Sequence, residues 1–337
     1  MADYPHSENV FNDVVDNLGL VISQLQDGES QQTDNSNYEK VAYWDRIEKI
    51  SQSLSHEVTI ISMAFSKSPY PSPENVRKML SKLETASLAL VSNFYSLPKS
   101  QGLLLRDSFK KSTLDLITKV QTFVKSIQTG MASSPEMLQK TGVVWEHSDY
   151  FSNLPKDNKR AVIELMTWSL GLLLDALREL EETMAGGGQF DDLDDLIIES
   201  GQGLSNEDEW SEEDRTLLGP CQGLIKVANY SLKKAMKATE KGGHCDTFHQ
   251  ISEYDDMADH IKKLSPAVDQ LGIALYPPMR HRLVRAYAEH LAEILRNFLN
   301  CLGGSHITCE DDMEWLNYLH KAIEHNMEKI HTLTNDK

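Results

Sequence analysis

Apolar residues recur at steps of three and four along nearly the whole chain, the spacing that lays one stripe along one face of a helix. Val10, Val14, Val15, Leu18, Val21, Ile22 and Leu25 predict a first helix over about residues 7–26, followed by a polar loop over 27–37. Ile47, Ile50, Leu54, Val58, Ile61 and Phe65 predict a long second helix over 38–65, ended by Pro69, Pro71 and Pro73. Ser72 is placed to cap the third helix, with Pro73 in its first turn, where a missing N–H costs nothing. That helix carries Val76, Leu80, Leu83, Leu90, Phe94 and Leu97 and stops at Pro98. The fourth has the cleanest pattern: Phe109, Thr113, Leu116, Val120, Phe123 and Ile127 step alternately by four and three. A free zipper would use the same seam, but a run this short predicts the core of a helical bundle.

Ser134-Pro135 repeats the cap-then-proline start and opens a shorter fifth helix reaching about Phe151. Asp157 is placed to cap a sixth, with Ala161, Leu165, Trp168, Leu172 and Leu180 on one face. Ile163, Met166, Leu170, Leu173, Leu174 and Leu177 make it apolar nearly all round, which suits a helix central in a bundle or one facing a partner. The central position is the expectation. Farther on, Cys221, Leu224, Ala228, Leu232 and Ala235 predict a seventh helix over 211–241, kinked or restarted at Pro220. The eighth runs from about Asp246 to Leu275, bent at Pro266, and Tyr276-Pro277-Pro278-Met279 stops it. Leu283, Tyr287, Leu291, Ile294, Phe298 and Cys301 mark the ninth, and Leu316, Leu319, Ile323, Met327 and Ile330 the tenth. No alternating strand pattern of useful length and no internal repeat appears. The predicted fold class is all-α: two up-and-down helical bundles of about six and four helices.

What separates the bundles is a run of acid. Fourteen carboxylates and no Lys or Arg lie between Glu179 and Asp214, with Gly186-Gly187-Gly188, Gly201 and Gly203 among them. Clustered like charge and glycine both oppose ordering, so residues 186–210 read as a flexible acidic linker between bundles 1–185 and 211–337. The fourteen carboxylates from Glu179 to Asp214 supply most of the formal charge of −18 and leave only −4 elsewhere. Such a balance predicts no direct binding to nucleic acid or anionic lipid, which needs clustered cations. The best local cationic patch is Lys233-Lys234 with Lys237 and Lys241, which also reads as a solvated helix face. Cysteines at 221, 245, 301 and 309 have no C-x-x-C spacing, and the first residues lack a signal-peptide pattern, so reduced thiols are expected. The apolar run Val162–Leu177 is too short, and too interrupted by Glu164 and Asp175, to span a bilayer.

Candidate chemistry is sparse. The chain has no phosphate-binding glycine loop, nucleophile elbow or H-E-x-x-H. His244, Cys245 and His249 could supply three ligands to a metal, but their spacing matches no structural zinc pattern, and His320 and His325 point to different sides of a helix. Neither an enzyme nor a cofactor is expected. Ser205 and Ser211 each have an acid three residues on, as acidophilic kinases of the casein-kinase-two type accept; Ser211 also reads as an N-cap with acids in the first turn. Tyr276, Pro277, Pro278 and Met279 read either as a rigid helix–helix corner or as a polyproline-type docking ligand.

Five short motifs occur in a fixed order: Tyr70-Pro71-Ser72-Pro73-Glu74, Leu97-Pro98-Lys99-Ser100-Gln101-Gly102, Leu154-Pro155-Lys156-Asp157-Asn158-Lys159, Trp210-Ser211-Glu212 and Leu275-Tyr276-Pro277-Pro278-Met279. Together, over about residues 40–334, the chain resembles the cyclin-D-binding protein family, also called Grap- and cyclin-D-interacting proteins. The resemblance implies an all-α, non-enzymatic negative regulator of the cell cycle, found in cytoplasm and nucleus. Its implied partners are D-type cyclins and helix-loop-helix factors, and its implied effect is restraint of retinoblastoma-protein phosphorylation and of transcription. The residues add that no basic helix able to grip DNA is present, which suits a helix-loop-helix protein acting through partners. The alternative is a talin- or vinculin-like helical scaffold in adhesion or the cytoskeleton.

Overall fold

The computed structural model describes residues 8–27, 38–129, 135–185 and 210–335. Among them are ten α-helices and no strand: α1 (Glu8–Gln26), α2 (Lys40–Ser66), α3 (Pro73–Ser96), α4 (Leu103–Gln128), α5 (Pro135–Tyr150), α6 (Asn158–Ala185), α7 (Glu212–Gly242), α8 (Phe248–Ala274), α9 (His281–Gly303) and α10 (Met313–Thr334). Residues 186–209 of the acidic linker and Ser134 lie outside the described residues, whereas Trp210, assigned to the end of that linker, is described and buried. The chain forms two compact units, Met1–Asn158 and Lys159–Lys337.

In the first unit, α2 packs on α3 and α5, and α4 on α1 and α5. Every residue of the predicted α4 seam is buried, from Phe109 to Ile127. Phe109 is the hub of an aromatic cluster. Its ring lies 5.6 Å from Trp44, 5.8 Å from Phe94 and 6.1 Å from Phe151, in tilted or edge-on contacts that are worth more than their area alone. The polar ends of that cluster are satisfied: Tyr43 Oη donates to the Asn93 carbonyl and Trp44 Nε1 to that of Lys156. Ser72 caps α3 as expected, its hydroxyl accepting from the Asn75 amide.

The start of α4 has no local cap. Its N-cap residue is Gly102, at φ +117°, with no side chain to offer. Instead Asn158, fully buried, reaches across, and its Oδ1 accepts from the Leu105 amide at 3.0 Å. A Cβ on Gly102 would lie 2.2 Å from the Asn158 carboxamide, so glycine is required twice over, by φ and by proximity.

In the second unit, α7 packs on α10 and α9, and α9 on α8 and α10. The predicted inward stripes of α7 and α10 are buried throughout, as are Ile251, Tyr254, Ala258, Ile261, Leu264, Val268 and Leu271 of α8. Pro220 and Pro266 sit inside α7 and α8, which continue through them. On α9 the inward residues at the start are Val284 and Ala288; Leu283 stands 41% exposed.

Two features of α6 differ from expectation. Pattern reading groups it with the helices before it, whereas the compact units divide ahead of it. The contacts of its body run to α7: Asn229 Nδ2 donates to the Leu173 carbonyl, Glu181 takes Gln222 and Lys226, and Lys159 Nζ donates to the carbonyls of Glu240 and Gly243. Nor is it central. Ala161, Val162, Met166, Leu173 and Leu180 are buried, but Trp168 is 64% exposed and Leu174 40%. On a helix apolar nearly all round, periodicity cannot select the face that packs.

Candidate functional site at the start of α7

The sequence singles out Ser211 and the 276–279 turn 65 residues apart, and the fold brings them to one end of the second unit. Trp210, buried at 5%, anchors the approach to α7: its indole N–H donates to the Leu275 carbonyl at 2.8 Å. Ser211 then forms a complete capping box. Its hydroxyl accepts from the Asp214 amide at 3.1 Å, and its own amide donates to Asp214 Oδ2 at 2.9 Å, satisfying two amides that a helix start otherwise leaves without partners. Asp214 Oδ1 is engaged too, 2.5 Å from His281 Nε2 in the first residue of α9. Burial alone would raise the Asp214 carboxyl; hydrogen bonds from His281 and Ser211 outweigh it and hold the group below its ordinary value.

The 276–279 turn serves this junction. Leu275 is fully buried, Tyr276, Pro277 and Met279 are half-buried, and Pro278 is exposed. The turn ends α8 and delivers Arg280 and His281 to the start of α9. Ser211, Asp214 and residues Met279–Leu283 line an open depression of about 750 Å³. His281 and Trp210 are the contributors that residue-by-residue reading missed. Nothing in the sequence pairs a histidine with an acid 67 positions away. Ser205 lies outside the described residues.

The kinase reading of Ser211 meets a physical obstacle here. The acid three residues on, which such a kinase reads, is Asp214, and both of its oxygens are already bonded. A kinase acting on Ser211 in the folded chain would therefore meet an acid whose oxygens are already engaged.

The metal reading of His244, Cys245 and His249 dissolves into separate contacts. Cys245 Sγ accepts from the Lys159 amide, and His249 faces Glu253 at 3.4 Å. The backbone of His244 meets His306 Nε2 at 3.2 Å, and His306 Nδ1 in turn bonds Glu253. These last bonds tie the α7–α8 loop, through His244, and α8, through Glu253, to the α9–α10 loop. Burial raises the Glu253 carboxyl, but the hydrogen bonds from His306 overcome that and leave it lowered. No group of three or more His, Cys, Asp or Glu among the described residues is placed to hold a metal ion. No helix among them is long and apolar enough to cross a membrane.

Comparison with known proteins decides the family. Residues 46–186 match the family model described as Grap2 and cyclin-D-interacting, N-terminal, and residues 189–300 match its C-terminal counterpart. The chain belongs to the Grap2 and cyclin-D-interacting family. A relative from Xenopus laevis, named Cyclin-D1-binding protein 1 homolog, is 36% identical over 95% of this chain and 97% of its own length. The Danio rerio protein of the same name is 35% identical over 92% and 91%. The Homo sapiens Cyclin-D1-binding protein 1 is 28% identical over 95% and 92%. The two family models meet between residues 186 and 189, whereas the compact units divide at Asn158, so the family's sequence boundary and the packing boundary fall on opposite sides of α6.

Proposed function

We propose that this chain is a non-enzymatic regulator that binds a D-type cyclin. What supports the reading is the near-complete alignment, over 95% of this chain and 97% of the other, with a relative named for binding cyclin D1. The test is direct. Full-length protein is passed over an immobilised, purified D-type cyclin, with an unrelated cyclin as control. Saturable binding to the first and not the second is the expected result; equal or absent binding overturns the reading.

The finer consequences follow from the same proposal. Added to a D-type cyclin with its kinase, the protein lowers the rate of retinoblastoma-protein phosphorylation; an unchanged rate removes that role. It also binds helix-loop-helix factors without touching DNA, and works in both cytoplasm and nucleus, which fractionation of cells would check. Ser205 and Ser211 are the candidate phosphoacceptors of this proposal. Because Asp214 is occupied, Ser211 in the folded chain should accept phosphate more slowly than in a free peptide spanning residues 207–218. Equal rates would show that the capping box imposes no barrier. The adhesion-scaffold alternative gains no support from the family match.

A further inference from the structure

The lysine patch noticed in the sequence faces something more specific than water. Between Arg215 and Gly242, α7 carries six cations and a single acid, Glu240, in a chain whose net charge is −18. Alongside that face, α7 and α10 enclose a groove of about 770 Å³. Its floor is apolar, with Val227 and Leu319 both buried. Its walls are aromatic: Tyr230 is 58% exposed, Tyr318 71%, and Trp315 is half-buried between them in sequence. Trp315 is held in place by its indole N–H, which donates to Asp312 Oδ1 at 2.8 Å.

The groove has direction. At one end α7 and α10 touch closely, since a Cβ on Gly223 would lie 2.3 Å from the Asn326 carboxamide. From there to Lys234 is eleven residues of α7, about 16 Å or three helical turns. Along this length Lys234 and Lys226, the latter already paired with Glu181, line the α7 side, and Lys233 sits with its Nζ 5.9 Å from the centre of the Tyr230 ring. Asp311 and Glu314 lie only at the far end, at the start of α10.

We infer that this groove binds an amphipathic helix of a partner protein, about three turns long, with apolar anchors at i, i+3 or i+4, and i+7 and carboxylates along one flank. Exposed tyrosines beside a tryptophan are the residue types that dominate protein–protein hot spots. The lysine flank fixes the sign of the partner's charge and would speed encounter. A nucleic acid is disfavoured, because Asp311 and Glu314 would face its phosphates. A small molecule would leave too much of itself in water in so open a groove. The inference is independent of the cyclin reading, since it names the chemistry of a helix and can hold if cyclin capture fails.

The probe is a synthetic amphipathic helix with leucine anchors and a glutamate flank, titrated calorimetrically into the full chain, beside a twin with lysine in place of each glutamate. The acidic helix should bind with Kd of about 10–100 μM, and its twin at least about tenfold more weakly. Y230A/Y318A should also weaken binding at least about tenfold, and K233E/K234E should invert the preference between the twins. Tyr230, Tyr318 and Lys234 are exposed and Lys233 is partly exposed, and circular dichroism would check that the variants fold. Equal binding of the twins, no binding of either, or binding indifferent to Y230A/Y318A would overturn the inference. Two results would name a different occupant and overturn it as well. Binding seen only after Asp191, Asp192, Asp194 and Asp195 are changed to Asn would assign the groove to the chain's own acidic stretch. A mass that rises with concentration and is reset by Y230A/Y318A would assign it to a second copy.

Discussion

Helices α4 and α7 solve the same problem in opposite ways. Each must satisfy the amide of its third residue, Leu105 in one and Asp214 in the other. Each does so with a side-chain oxygen at nearly the same distance, 3.0 and 3.1 Å. In α7 the oxygen belongs to Ser211, three residues earlier, and the reciprocal carboxylate comes from Asp214 itself. In α4 it belongs to Asn158, 53 residues later, reaching over a glycine that has none to give. A cap supplied locally is available as soon as the helix starts to form. One supplied from a distance exists only once the chain has folded around it, so it couples the start of α4 to the placement of residue 158.

That contrast sets an order of damage. The largest loss is expected for Gly102→Ala, which puts a Cβ into both a disfavoured φ and the Asn158 carboxamide. Strain together with a displaced cap should cost about 3–5 kcal/mol in a urea unfolding series; a loss below about 1 kcal/mol would mean the cap relocates freely. Asn158→Ala keeps the glycine but leaves the buried Leu105 amide without that acceptor, for about 2 kcal/mol. Hydrogen exchange at Leu105 should accelerate while that at Asp214 stays unchanged. Ser211→Ala should reverse the pattern, costing about 1 kcal/mol and loosening only the first turn of α7. If Leu105 responded to it, the two caps would not be independent.

The smallest effect is that of pH, and its sign is fixed by direction. Asp214 and Glu253 are both held below their ordinary values in the folded chain. Their contribution is therefore fully present above the unfolded values of about 3.9 and 4.3, and is lost as pH falls through the lower folded values. Melting temperature should decline below about pH 4, and Asp214→Asn should flatten part of that decline. A decline with the same slope in the variant would remove Asp214 from the account.

Much of this was open to pattern reading because helices encode their buried face locally. The α4 seam from Phe109 to Ile127 and the α10 stripe from Leu316 to Ile330 are buried as their spacing requires. Where two apolar faces compete, spacing fails. It favoured Leu283 over Val284 on α9, and on α6 it placed Trp168 inside although that residue stands 64% exposed. The corner was legible in outline, since Ser211 reads as a cap and the paired prolines as a stop. Its closure was not, because Trp210 to Leu275 and Asp214 to His281 are long-range bonds with no local signature.

The sequence by itself determined that this protein is all helix, where each helix begins and ends within a few residues, and to which family it belongs. Those properties rest on residues a few positions apart: caps, prolines and the 3.6-residue period. Only the tertiary structure decided that α6 packs onto α7, that Asn158 completes α4, and that the lysines of α7 flank an aromatic groove shared with α10. Each of these joins groups far apart in the chain, and a contact across such a distance depends on the placement of everything between.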